Sequence, residues 1–232
     1  RSGVGRKASQ MKHGVTQTLY SYWDSLRGAR PAPNRSEIDP GEIRGLLGDT
    51  FILETNGPSD VRYRLAGTRL CSAHCRELKG RNFLRGWDTK DREALESLIA
   101  AITEDGAAAV VGINGHTERE QELQMEMLLV PLNVPGEGRI RILGSAVPMD
   151  KPYWIGLHPI LRQSISSLRL VWPDERPYFT GASHSNINPI MPRFTAEDMP
   201  MRTPVLPQGA AVLPHGAERQ VGHLTVYSGG KS

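Results

Sequence analysis

Cys71, His74 and Cys75 fall within one short stretch, YRLAGTRLCSAHCRELKG, residues 63 to 80. On a helix, the spacing i, i+3, i+4 brings three side chains to one face. Two thiolates and an imidazole are a donor set suited to zinc. A closed zinc site needs a fourth ligand from a second element, and the chain has only 2 cysteines. No metal is therefore expected. Ligation of a haem by His74 or a cysteine is the other cofactor reading, and ordinary packing or pocket lining outweighs both. A cysteine nucleophile would need a depressed pKa and a base in line. Neighbours on a helix point about a hundred degrees apart, so His74 beside Cys75 makes a poor dyad. No catalytic residue is assigned.

Other chemistry is thin. INGHTEREQELQ carries His116, Glu118 and Glu120, which read as a wet hairpin tip. Neither HExxH nor GxSxG occurs. The terminal GGKS lacks a Walker loop's first glycine, Thr225 standing in its place. Arg62, Arg64, Arg69, Arg76, Arg81 and Arg85 make one region locally basic, reading as a solvated face or a contact for a phosphate-bearing ligand or acidic partner. With 28 Lys and Arg against 25 Asp and Glu, the net charge of +3 gives only weak support to nucleic-acid binding. No recognition helix or aromatic platform strengthens it. The cysteine count excludes a disulfide framework and favours free thiols in a reducing compartment. No apolar run reaches the length of a membrane span, and the first residues lack a secretory pattern, so no membrane insertion and a cytoplasmic location are expected.

The elements that would position these residues are readable from periodicity. Leu19, Tyr22, Trp23 and Leu26 form one helical stripe, stopped near Gly28. Asp39, Pro40 and Glu42 write a helix start, with Ile43, Leu46 and Leu47 as its buried side and Gly48 as its end. TFILET and VRYRLAG are two strands, the second alternating Val61, Tyr63 and Leu65 with arginines. Short helical or turn structure follows from Thr68 to Lys79. Asp88 opens a longer helix, with Asp91 as capping acid, Leu95, Leu98, Ile99 and Ile102 as its core stripe and Gly106 as its stop. AAAVVGINGH, QELQMEMLLVPL and GRIRILGSAVP are three further strands.

Two strands, short helices, a longer helix and three strands predict an α+β domain: a five-stranded antiparallel sheet with helices covering one face, and a cavity between them. The expected organisation is a flexible lead over 1–15, the domain over 16–150 and a short helix or extended piece over 151–172. Eight prolines between 173 and 214 then argue for an extended, largely irregular Pro-rich tail over 173–232.

YWDSLRGARPAPNRSEIDPGEIRGLLGDTFILE, YRLAGTRLCSAHCRELKGRNFL and MEMLLVPL...RILGSAVP together resemble a stand-alone PAS-like family abundant in alphaproteobacteria, over residues 16 to 150. The matching positions are Trp23, Leu26, Arg27, Arg30, Pro33, Arg35, Asp39, Gly67, Leu70, Gly80 and Phe83. The chain departs from the pattern at Cys75, where glycine commonly precedes REL. The resemblance implies a PAS fold and a sensory or signalling protein, often dimeric, that binds a small ligand or a protein partner. It leaves the cofactor unknown. Haem-binding relatives take their histidine from the longer helix, and DREALESLIAAITEDG has none; the flavin cysteine motif is also missing.

A ligand is expected between the curved sheet and residues 71–87, with His74, Arg76, Phe83 and Trp87 as cofactor-binding wall residues. A protein partner and a homodimer are expected. The alternatives are a ligand-free interaction adaptor and a small-molecule enzyme.

Overall fold

A computed structural model describes residues 11–57, 59–172, 218–221 and 224–228. Helix α1 (Gly14–Arg27) is followed by 3-10 turns at Arg35–Glu37 and Arg44–Asp49 and by strands β1 (Thr50–Thr55) and β2 (Val61–Ala66). Then come helices α2 (Thr68–Ala73) and α3 (Thr89–Asp105), and strands β3 (Ala108–His116), β4 (Glu122–Val134), β5 (Gly138–Pro148) and β6 (Arg162–Val171). Two short strands, β7 (Glu218–Val221) and β8 (Leu224–Ser228), complete the described chain. All belong to one sheet, ordered β2-β1-β5-β4-β3-β6-β8-β7.

The five expected strands are present, antiparallel and covered by helices, and the sheet goes further than expected. β6 adds a sixth antiparallel strand, running alongside β3 from Ala108 opposite Val171 to His116 opposite Arg162. For the expected short helix or extended piece over 151–172, the chain makes turns around Trp154 and then extends as β6. Residues 173–217, which hold the eight prolines, lie outside the described residues, as does the terminal GGKS. β7 and β8 fall inside the segment expected to be irregular, and β8 pairs in parallel with residues 168–170 of β6.

The sheet has two dry faces because successive strand residues point opposite ways. Phe51, Leu53, Met127, Leu129 and Ile142 join one core, roofed by α3 and the segment from Leu78 to Trp87. Ile52, Leu128, Val130 and Leu143 join a second core on the other face, closed by Leu19, Tyr20 and Trp23 of α1. The alternation in β4 is therefore between two cores, not between core and water. Met11, expected in a flexible lead, is buried in the second core. Just after it, the buried Glu126 accepts the backbone N–H groups of Lys12 (2.8 Å) and His13 (2.9 Å), fastening the entry to α1.

Two local expectations change. The segment after Asp39 forms turns and a 3-10 helix instead of an α-helix, because Gly41, Gly45 and Gly48 punctuate it. Asp91 does not cap its own helix in the expected way: wholly buried, it accepts the N–H of Ile165 at 2.8 Å and clamps β6 to α3.

Candidate functional site

The two outer strands of the six-stranded unit, β2 and β6, are joined by one short strap of chain. On the β2 side, Tyr63 N–H donates to the Arg81 carbonyl (3.0 Å), Gly80 N–H to the Tyr63 carbonyl (2.7 Å) and Phe83 N–H to the Val61 carbonyl (2.6 Å). On the β6 side, Gln163 N–H donates to the Gly86 carbonyl (2.8 Å) and Asp88 N–H to the Gln163 carbonyl (2.9 Å). The end of α2 also reaches over, its Ala73 carbonyl accepting from Ile160 N–H at 3.1 Å. Residues 80–88 thus close the sheet's curvature into a seam.

A cavity of about 330 Å³ opens at this seam. Tyr63, Phe83 and Ile160 give it an apolar base, and His74, Arg76, Arg81, Arg85 and Gln163 supply its polar wall. Of the expected wall residues, His74, Arg76 and Phe83 line the cavity. Trp87 does not: it lies behind Phe83, buried, its ring centroid 5.8 Å from the phenyl ring. Tyr63, Arg81, Arg85 and Gln163 were missed as wall residues. Arg81 and Arg85 were visible in the basic run, but Gln163 comes from a strand placed beyond the domain.

His74 owes its position to a close approach upstream. Helix α2 begins after Gly67, where a Cβ would run into the Leu47 and Gly48 carbonyls. The helix ends at Ala73, with His74 as its C-cap. Cys75 then turns to φ 47, so the three metal-type side chains do not share a helical face. The His74 Nδ1 lies 3.0 Å from the Leu70 carbonyl, which only accepts, so Nδ1 carries the proton. Nε2 is left as acceptor for the Gln163 amide at 3.4 Å. Burial holds the imidazole below the ordinary histidine range, hence neutral. His74 is a brace between α2 and β6 as well as part of the wall.

The cysteines are separated in role. Cys71 is half-buried, and burial pushes its thiol up from the ordinary value, away from nucleophile chemistry. Its Sγ lies 3.7 Å from Glu77 Oε1. Cys75 is exposed. Among the described residues no group of three or more His, Cys, Asp or Glu side chains is placed to hold a metal ion.

The family-like residues hold the fold together. Trp23 Nε1 donates to the Pro131 carbonyl at 2.8 Å, and the Arg27 guanidinium lies 5.0 Å from the Trp23 ring while pairing with Asp24. Arg30 grips both oxygens of Glu37, whose carboxyl is pulled down to about 2 chiefly by that hydrogen bonding. Gly80, at φ 78, starts the strap, and Phe83 anchors its middle.

An antiparallel 2-1-5-4-3 sheet with short helices between its second and third strands defines a domain of the PAS class. The chain belongs to the PAS domain family, whose model matches residues 11–147. Its sheet is distantly similar to solved light-oxygen-voltage domains. One is the dark structure of the blue-light photoreceptor Aureochrome1 LOV, 13% identical, with 48% of this chain and 82% of that one covered at a TM-score of 0.37. Another is the Rhodobacter sphaeroides LOV protein, 11% identical, covering 50% and 71% at 0.37. A third, an RNA-binding light-oxygen-voltage receptor, is 16% identical, covering 67% and 49% at 0.36. No curated protein matches the chain. No described helix is long and apolar enough to cross a membrane.

Proposed function

We propose that this PAS protein is a cytoplasmic sensory regulator whose signal is a small molecule bound in the seam cavity. The observation that carries this reading is the place of the cavity: open, polar-walled, and bounded by residues of β2, the strap and β6 together. A molecule lodged there touches both outer strands, so it favours whichever arrangement of the seam fits it. The reading assigns no catalytic step. Neutral His74 serves as a brace, and the raised thiol of Cys71 suits packing better than reaction.

The test is a thermal-shift survey of metabolites on the full chain, alongside Leu161→Trp. Leu161 lines the cavity and is 37% exposed, so a larger ring there fills space without opening the core. At least one compound should stabilise the wild type and have no effect on the filled variant. If every compound acts equally on both proteins, the ligand reading is lost.

A second reading, a protein-interaction module acting as a dimer or with a partner, has its own support. Tyr153 and Leu157 are 84% and 68% exposed on the turn between β5 and β6. Tyr153→Ser with Leu157→Ser should then lower the solution mass measured by light scattering; an unchanged mass disfavours the dimer.

A further inference from the structure

Charge around the cavity is unbalanced in a way that the rest of this region is not. Arg62, Arg64 and Arg69, nearby in the chain, each hold a carboxylate: Asp60 at 2.7 Å, Glu54 at 3.1 Å and Asp49 at 2.6 Å. Arg76, Arg81 and Arg85 all line the cavity, and none forms an ion pair among the described residues. Arg76 and Arg81 are oriented through Nε only, by the His74 carbonyl (3.2 Å) and the Glu77 carbonyl (2.7 Å). The outer guanidinium nitrogens of both have no hydrogen-bond or ion-pair partner among the described residues.

Glu77, next to Arg76 in the chain, forms no ion pair with these arginines. Glu77 folds back, its Oε1 accepting the backbone N–H groups of Leu78 and Lys79 at 3.0 Å each, and it is not part of the wall. Among the described residues no aspartate or glutamate lines the cavity. The remaining polar groups are donors or neutral: Gln163 offers its amide, and burial keeps the Tyr63 phenol protonated. Against them stand Phe83 and Ile160, both nearly fully buried.

Three uncompensated guanidinium groups around an aromatic base make a receptor for an oxyanion attached to something apolar. Resting on the ligand reading above, we propose that the seam cavity takes a small organic oxyanion, a carboxylate or phosphate held by Arg76, Arg81 and Arg85. The apolar part of the ligand seats against Phe83 and Ile160.

The test uses the full chain at low salt, because exposed charge contacts are screened. Benzoate, phenyl phosphate, benzyl alcohol and benzylamine are the probes, read by thermal shift and by calorimetry. Benzoate or phenyl phosphate should bind and stabilise the protein, their relative affinities separating carboxylate from phosphate recognition, while the alcohol and amine should not. Arg85→Gln should weaken the bound anion about tenfold. That side chain has no hydrogen bond or ion pair of its own to lose among the described residues, so the variant folds. Arg76→Gln combined with Arg81→Gln should abolish binding, and Arg64→Gln, whose guanidinium lies outside the cavity, should leave it unchanged. Anion binding that survives the three cavity substitutions, or none at all, overturns the proposal. If benzyl alcohol or benzylamine instead stabilises the wild type but not Leu161→Trp, the anion proposal fails while the ligand reading stands. Silence from all four probes, with metabolites failing as well, removes both.

Discussion

At φ 47, Cys75 holds a left-handed conformation at the end of a six-residue helix, where its Cβ crowds the backbone. Glycine adopts that conformation freely, so Cys75→Gly should stabilise the protein by about 0.5–1 kcal/mol, the relief of strain exceeding the added entropy of the unfolded glycine. Urea denaturation measures it, and a loss of stability would mean that the thiol makes a contact worth more than the strain. His74 gives a pH signature. Its folded-state pKa is depressed by burial, so its contribution is complete above the ordinary histidine value of about 6.5 and is lost as pH falls from there toward the depressed value. Melting temperature followed from about pH 7.5 down to about 5.5 should therefore fall more steeply for wild type than for His74→Gln. Equal slopes would show that His74 ionises freely in the fold. At this scale the sequence was partly legible. Residue types nominated His74, Arg76 and Phe83, and the departure from glycine at position 75 was plain. The chemistry attached to the Cys–His–Cys spacing was misleading, because it assumed a continuous helix and the helix stops before His74.

The elements depend on a few close approaches and buried acceptors. Gly67 starts α2 against the carbonyls of Leu47 and Gly48, and a methyl group there has only backbone to push against. Gly67→Ala should cost about 1–3 kcal/mol, seen as a lower denaturation midpoint. Glu126, on β4 within the second face's core, holds the chain entering α1 by two N–H groups. Glu126→Gln replaces one acceptor by a donor facing a donor, and should cost about 1–3 kcal/mol while speeding amide exchange at Lys12 and His13. Unchanged exchange would show the helix entry to be held by packing alone. Strands were legible here because alternation and turn residues are local signals. α1 and α3 were legible from their apolar stripes and glycine stops. The helix expected after Asp39 failed since capping residues announce a start but cannot outweigh three glycines that follow within ten residues.

Across the whole molecule, what escaped sequence reading is pairing between distant segments. β6 reads locally as an extended piece of uncertain allegiance; its place is fixed by β3 and by Asp91, which accepts its Ile165 N–H from α3. Removing that acceptor in Asp91→Ala should raise amide exchange along β6 around Ile165 well before β1 or β2 is affected. A uniform rise everywhere would mean that β6 has no separate freedom. The second core was also hidden, because an unbroken apolar run such as MLLVPL tells of two buried faces only when something is known to cover each. Leu128 and Leu129, next to each other in β4, face Trp23 on one side and the roof of α3 on the other. One wall therefore serves two rooms. Any change of curvature imposed where 80–88 ties β2 to β6 would be shared by the side chains packed on both faces, since the same backbone carries both.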